Sequence, residues 1–196
     1  MHNQDAAAAV VSVGTANTAL GSMGAVFTSS GVARLAWGAE APNVCAAWIR
    51  RWLPHAIVVS AITEVAQLAG ELEDYFAGQR QSFAMPVDLR GTPFQLHVWH
   101  ATQRVAYGKI RTYGQIAASI GHPHAARAVG AANGANPVPI LVPCHRLVGS
   151  TGALISYRGG VAMKRHLLQL EGVLDAAETT VPRRHLSAVP ASGSGS

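Results

Sequence analysis

Acidic side chains are absent from residues 90 to 170. The carboxylates of the chain are Asp5, Glu40, Glu64, Glu71, Glu73, Asp74, Asp88, Glu171, Asp175 and Glu178. Over the acid-free stretch stand Arg90, Arg104, Lys109, Arg111, Arg127, Arg146, Arg158, Lys164 and Arg165. A globular segment of ordinary composition carries both signs in similar measure. One missing sign implies a surface that does not repel phosphate. Cysteine is scarce too. Cys45 and Cys144 differ in context, so the disulfide framework of a small secreted domain is excluded and a reducing cytoplasm is the expected setting. Apolar runs of membrane-spanning length are missing because charges or prolines interrupt them, and no membrane partner is expected. The opening MHNQDAAAAVV lacks a basic segment followed by a sustained apolar run, so no secretory signal is expected. There is no CxxC or HxxxH pair. His97 and His100 stand three apart on a helix, but two ligands do not make a structural site, so no metal is expected.

What is present suffices for a core. The chain has 196 residues, 49% of them apolar, which allows one sizeable domain or two small ones and excludes disorder throughout. Residues 1–87 read as an N-terminal α/β domain ending in a linker. Short β-type runs lie at 9–13, 25–28 and 32–37, with Ser29-Ser30-Gly31 as a hairpin turn. Helical spacing covers 44–53 and 62–76, the latter with Ile62, Val65, Ala66, Ala69, Leu72 and Phe76 on one face. Trp37, Trp48 and Trp52 read as core or interface anchors. Met85 to Gly91 reads as the linker.

Residues 88–174 read as a second, mostly α domain. Thr92-Pro93-Phe94-Gln95 is a capping box with proline at the first helical position. A short helix from Thr112 to Ile120, a turn at Gly121-His122-Pro123-His124 and a second helix from Ala125, stopped by Asn133-Gly134, form a helix-turn-helix pattern. A last helix covers 161–170. Residues 175–196 read as a flexible tail of low complexity.

The segment Asn136-Pro137-Val138-Pro139-Ile140-Leu141-Val142-Pro143-Cys144-His145-Arg146 carries the chemistry. Three prolines fix φ and keep the run out of a sheet interior, so the thiol that follows is held in a defined place. A free thiol is mostly protonated at neutral pH, and a neighbouring base and positive charge favour the thiolate. Glu171, the first carboxylate after the acid-free stretch, is the candidate to orient His145 in a nucleophile–base–acid relay.

Pro143-Cys144-His145-Arg146, preceded by Asn136-Pro137 and followed by Gly152 and Tyr157-Arg158-Gly159-Gly160, resembles the active-site signature of the O6-alkylguanine-DNA alkyltransferases. The resemblance runs from Asp88 to Glu171. It implies a ribonuclease-H-like α/β N-terminal domain and a C-terminal domain with a winged-helix-like helix-turn-helix. It also implies repair of double-stranded DNA by irreversible, single-turnover transfer of an alkyl group from O6-alkylguanine to Cys144. O4-alkylthymine and free O6-benzylguanine are further candidate substrates, and no cofactor is implied.

In this reading the nucleotide is flipped out of the duplex. Arg127 fills the gap, and Ala126, Ala128, Gly130 and Ala131 allow close approach to the minor groove. Tyr113 rotates the 3′ phosphate and gives a proton to the leaving guanine. His145, through a water, takes the thiol proton, Glu171 holds the imidazole, and Asn136 braces the turn. The carbonyls of Cys144 and Leu147 accept from the guanine amino group, and the backbone near Arg158 reaches O6. Tyr157, Gly159 and Pro139 complete the pocket. The chain departs from the family pattern at Ala106-Tyr107-Gly108, at Lys109 and Gln115, and at Gly159, where many bacterial members have Trp. Two other readings compete. A non-catalytic lesion sensor or transcription regulator would bind DNA without needing Cys144. A cysteine hydrolase would need an oxyanion hole, for which no motif is visible.

Overall fold

A computed structural model of the chain describes residues 9–155, 157–175, 178 and 180–182. Two compact units divide the described residues, one made of those up to Leu96 with Ala135–Val142 and the other of His97–Gly134 with those from Pro143 onward. Beyond Asp175, Glu178 and residues 180–182, the expected tail lies outside the described residues.

The first unit is built on a four-stranded sheet in the order β3-β2-β1-β4. Strands β1 (Val10–Thr18), β2 (Gly21–Thr28) and β3 (Gly31–Trp37) form an antiparallel meander, and β4 (Ile57–Ser60) returns parallel to β1. The expected turn at Ser29-Ser30 joins β2 to β3, with Thr28 opposite Gly31. Helices α1 (Ala41–Trp52) and α2 (Ile62–Phe76) pack on this sheet. Gly14 permits the α2 packing, because a Cβ there would lie 2.7 Å from the Val65 Cβ and 2.8 Å from the Ala61 carbonyl. Val11, Val26, Ala33, Cys45 and Trp48 form a buried cluster, with Ile49 and Trp52 packed against it.

Two expectations change here. The inward face of α2 carries Val65, Leu68, Glu71, Leu72 and Tyr75, while Ile62 is 76% exposed. Helical spacing alone admits both faces, and the helix turns its first residue outward. The segment read as a linker is anchored. Val32 N donates to Pro86 O, Asp88 N donates to Val32 O, and the Thr28 hydroxyl donates to the Asp88 carboxylate. These bonds tie it to the free edge of β3, as does the backbone of Ala135–Val142, where Leu35 N donates to Pro137 O at 2.9 Å.

Helix α3 (Pro93–Gln103), whose residues to Leu96 count with the first unit, starts on the expected capping box: Thr92 N donates to Gln95 Oε1 and Gln95 N donates to Thr92 Oγ1. The second unit is mostly helical. Strand β5 (Arg111–Thr112) leads into α4 (Tyr113–Ser119), whose N-cap Thr112 makes a second capping box with Gln115. Helix α5 (Ala126–Gly134) follows the turn, then a single 3₁₀ turn at Cys144–Arg146, strand β6 (Leu147–Val148) and α6 (Gly160–Leu170). Ile110, Val148, Leu168, Val173, Leu174 and Val181 form its apolar cluster. Among the described residues no helix is long and apolar enough to cross a membrane.

Candidate active site

The parallel pairing of β5 with β6 sets Arg111 opposite Leu147 and Thr112 opposite Val148. That register ties the two residues after the Cys144–Arg146 turn to the two residues before Tyr113. The turn is buried: Cys144 is 4% exposed and His145 is fully buried. His145 Nε2 meets Glu171 Oε1 at 2.8 Å. Arg146, the next residue, turns back onto the same carboxylate. Its Nε donates to Oε1 and Oε2 at 3.1 and 3.0 Å, and its Nη2 donates to Oε1 at 2.9 Å. Its Nη1 donates to the Val105 carbonyl. Gly108 N adds a bond to Glu171 Oε2, in a backbone with φ of 67° that glycine adopts without penalty.

Burial alone would raise the Glu171 pKa, but bonds and charge from His145 and Arg146 outweigh it and hold the carboxyl at about 2. Burial lowers the His145 pKa, and Arg146 and Lys164 add to the fall, against the pull of Glu171. The imidazole is therefore neutral at neutral pH. With an ionised carboxylate at Nε2, that nitrogen carries the proton and donates it. Nδ1 keeps a lone pair for a proton, which is the tautomer a general base needs.

A second group surrounds Cys144. Asn133 Nδ2 donates to the Cys144 carbonyl at 3.1 Å. Lys164 is fully buried, its ammonium donates to the carbonyls of Leu147 and Ile155, and its Nζ lies 5.8 Å from the Tyr113 ring centre. Burial lowers the Lys164 pKa to about 8 even though Cys144 pulls it up. Burial also raises the Tyr113 pKa, as does Cys144, while a hydrogen bond from Asn133 lowers it. The environment thus couples Tyr113, Lys164 and Cys144 electrically.

Of the residues singled out from the sequence, the second unit holds Cys144, His145, Glu171, Tyr113, Leu147, Tyr157, Arg158, Gly159, Arg127, Ala126, Ala128 and Gly130. Asn136 and Pro139 belong to the first. There Asn136 closes a turn: its Nδ2 donates to Val142 O at 2.8 Å and its Oδ1 accepts from Val138 N. Pro139 bridges to Val142 within that turn. The Leu147 carbonyl already takes the Lys164 ammonium, and the Arg158 side chain donates to Gly134 O. At Gly159 a Cβ would lie 2.3 Å from Met163 Sδ, so that thioether occupies the space a larger residue would claim. Arg127 and Ala128 are exposed on α5, while Val129 faces inward.

Sequence reasoning assigns no role to Lys164 or Asn133 and does not place Arg146 on Glu171. Arg146 stands in the signature and both cations stand in the acid-free stretch, but nothing in the sequence marks either as buried. The sequence places Asn133 as a helix stop, yet α5 continues through it and Asn133 is buried. No group of three or more His, Cys, Asp or Glu able to hold a metal occurs among the described residues.

A buried cysteine followed by a carboxylate-held imidazole, beside two short helices joined by a turn, is an arrangement able to serve a cysteine nucleophile. The family model described as 6-O-methylguanine DNA methyltransferase, DNA binding domain, matches residues 93–173. The inducible methylated-DNA–protein-cysteine methyltransferase of Bacillus subtilis is 47% identical over 124 residues, 63% of this chain and 69% of the relative. The methylated-DNA–protein-cysteine methyltransferase of Mycobacterium bovis is 51% identical over 111 residues, 57% of this chain and 67% of the relative. Among solved structures, that of Mycobacterium tuberculosis O6-methylguanine methyltransferase aligns with a TM-score of 0.69 and 37% identity, over 86% of this chain and 97% of that one. The Mycobacterium tuberculosis protein OGT in complex with DNA aligns with a TM-score of 0.69 and 38% identity, over 81% and 91%. This chain belongs to the methylated-DNA–protein-cysteine methyltransferase family.

Proposed function

We propose that this chain repairs DNA by taking the alkyl group of O6-alkylguanine onto Cys144, once per molecule. The observation that carries the reading is the Cys144-His145 pair with its 2.8 Å link to Glu171, inside the segment the family model matches. His145, neutral and oriented, accepts the thiol proton through a water. The thiolate displaces the base in line at the alkyl carbon: the S–C bond forms as the C–O bond breaks. Tyr113 gives its proton to the leaving guanine, and the thioether stays on the protein.

The finer assignments belong to this reading as well. Residues 1–87 serve as a ribonuclease-H-like domain, 88–174 as the alkyltransferase domain with a winged-helix-like element, and 175–196 as a tail. Arg127 holds the place of the flipped base, with Ala126, Ala128 and Gly130 allowing close approach. Asn136 braces the turn ahead of Cys144. Tyr157, Arg158, Gly159, Leu147 and Pro139 shape the pocket. The protein works in the cytoplasm. The lesion-sensor reading gains no support, because binding alone requires neither the thiol nor its histidine–glutamate pair.

The test is transfer of label from DNA containing labelled O6-methylguanine. Label moves to protein with a ceiling of one per chain and none moves to Cys144→Ala. Transfer to that variant, or none to the unaltered protein, overturns the reading.

A further inference from the structure

Residues 105 to 108, between α3 and β5, take no direct part in the relay, yet they grip both members of its ion pair. The Val105 carbonyl accepts from Arg146 Nη1, and Gly108 N donates to Glu171 Oε2 at 3.1 Å. A Cβ at Gly108 would lie 3.1 Å from the Glu171 carbonyl oxygen, and φ there is 67°, so glycine is the residue this approach allows. Between those two backbone contacts stands Tyr107. Its hydroxyl donates to the Leu170 carbonyl at 3.0 Å, and its ring centre lies 5.8 Å from the Arg146 guanidinium carbon. Leu170 is the last residue of α6, where carbonyls have no partner within the helix, and Glu171 is the cap that follows it. Burial and the Glu171 charge both raise the Tyr107 pKa, against the pull of Arg146, so the phenol keeps the proton that it donates.

We infer that Tyr107 is a positioning residue for alkyl transfer: its hydroxyl pins the end of α6 and its ring covers the Arg146 guanidinium, so that the Glu171 carboxylate presents Oε1 to His145 Nε2. The Arg146 fork cannot do this alone. Arg146 and His145 are neighbours on one turn, and their bonds fix the carboxylate against that turn only. The backbone that carries the carboxylate has to be held separately, and the Tyr107 hydroxyl holds it one residue away, at Leu170. The aromatic face also keeps water from the guanidinium, which strengthens the ion pair beneath it. The contacts of Val105 and Gly108 come from the backbone and do not depend on the side chain at 107, whereas the bond to Leu170 does. With Oε1 in place, the ionised carboxylate keeps the imidazole proton on Nε2 and leaves Nδ1 open to the thiol proton. With the end of α6 loosened, Oε1 spends less time at Nε2 and the other tautomer gains share. In that form Nδ1 carries a hydrogen and cannot accept one. Tyr107 exchanges no proton in this scheme.

This inference rests on the proposed function, and the experiment separates the two. Rate constants for alkylation of the full chain by free O6-benzylguanine are measured for the unaltered protein, Tyr107→Phe and Tyr107→Leu, each under conditions where circular dichroism shows it folded. The tautomer of His145 is read in the same samples from the NMR shifts of its ring nitrogens. An unaltered protein that fails to react refutes the proposed function itself, and the tautomer ratio then tests by itself what Tyr107 does to His145. Tyr107→Phe keeps the ring and loses only the bond to Leu170. It reacts about threefold more slowly, and Tyr107→Leu on the order of tenfold more slowly. The share of imidazole protonated at Nε2 falls in the same order. A Tyr107→Phe protein with the parental rate overturns the inference. So does a slower reaction with the parental tautomer, which a loosened fold alone would give. Should Tyr107→Leu not fold, the comparison of Tyr107→Phe with the parent decides.

Discussion

Glu171 is buried with donors from His145, Arg146 and Gly108 on it, and that crowding explains both its charge and its importance. A carboxylate in this position is stable only while its cation is present, and the cation only while the carboxylate is. Glu171→Gln leaves the Arg146 guanidinium buried without an anion, which costs about 3–5 kcal/mol. Urea unfolding at neutral pH reads that loss, and an unchanged midpoint and slope would count against the geometry. The same pair sets the acid limb of stability. The Glu171 carboxyl is held at about 2 in the folded chain, below its ordinary 4.5, so its contribution is complete above pH 4.5 and disappears as pH falls toward 2. It amounts to roughly 3 kcal/mol. The His145 pKa is lowered as well, so its share is complete above 6.5 and shrinks below that. Unfolding free energy measured from pH 7 downward therefore falls first with the imidazole and then with the carboxyl. In Glu171→Gln the second step is missing.

At the scale of elements, the nucleophile is placed by short pieces that hold one another. The two-residue pairing of β5 with β6 fixes the exit of the Cys144–Arg146 turn against the start of α4, and the Thr112–Gln115 capping box fixes that start. Much of this was legible. Capping boxes are local, so Thr92-Gln95 announces its helix, and α2 lies where its apolar spacing puts it, whereas the Thr112-Gln115 box emerges only in the structure. Strand β4 was not legible, because four exposed residues carry no alternation and their parallel partner is far away in the chain. The place of Glu171 could be read from the charge pattern. The burial of Arg146 and Lys164 could not, since a cation looks alike in sequence whether it faces water or a carbonyl. Helix α5 shows the split between its two faces: Val129, Ala132 and Asn133 inward, Arg127, Ala128 and Ala131 outward. An outward arginine flanked by alanines suits insertion beside a displaced base. Arg127→Ala therefore slows repair of a lesion in duplex DNA by at least tenfold, and leaves the reaction with free O6-benzylguanine within about twofold. Equal losses with both substrates would remove Arg127 from that role.

At the scale of the whole molecule, the acid-free stretch limits how the chain meets DNA. Its nine cations are not equivalent. Arg146 and Lys164 are buried on partners of the active site, and Arg90 is paired with Asp88 at 3.0 Å. The cations of the stretch left to displace counterions are Arg104, Lys109, Arg111, Arg127, Arg158 and Arg165. Each phosphate neutralised lowers the slope of log affinity against log salt by about 0.9. If every one of these cations meets a phosphate, the slope reaches about −5 and no further. Titration of a lesion-free duplex between about 50 and 200 mM salt gives that slope directly. A shallower value means that part of the stretch faces away from the duplex, and single alanine variants show which part. A steeper one means that cations outside residues 90–170 reach the backbone, such as Arg50, Arg51, Arg183 or Arg184. The steep result would refute the view that the acid-free stretch is the electrostatic footprint, whatever the chemistry at Cys144.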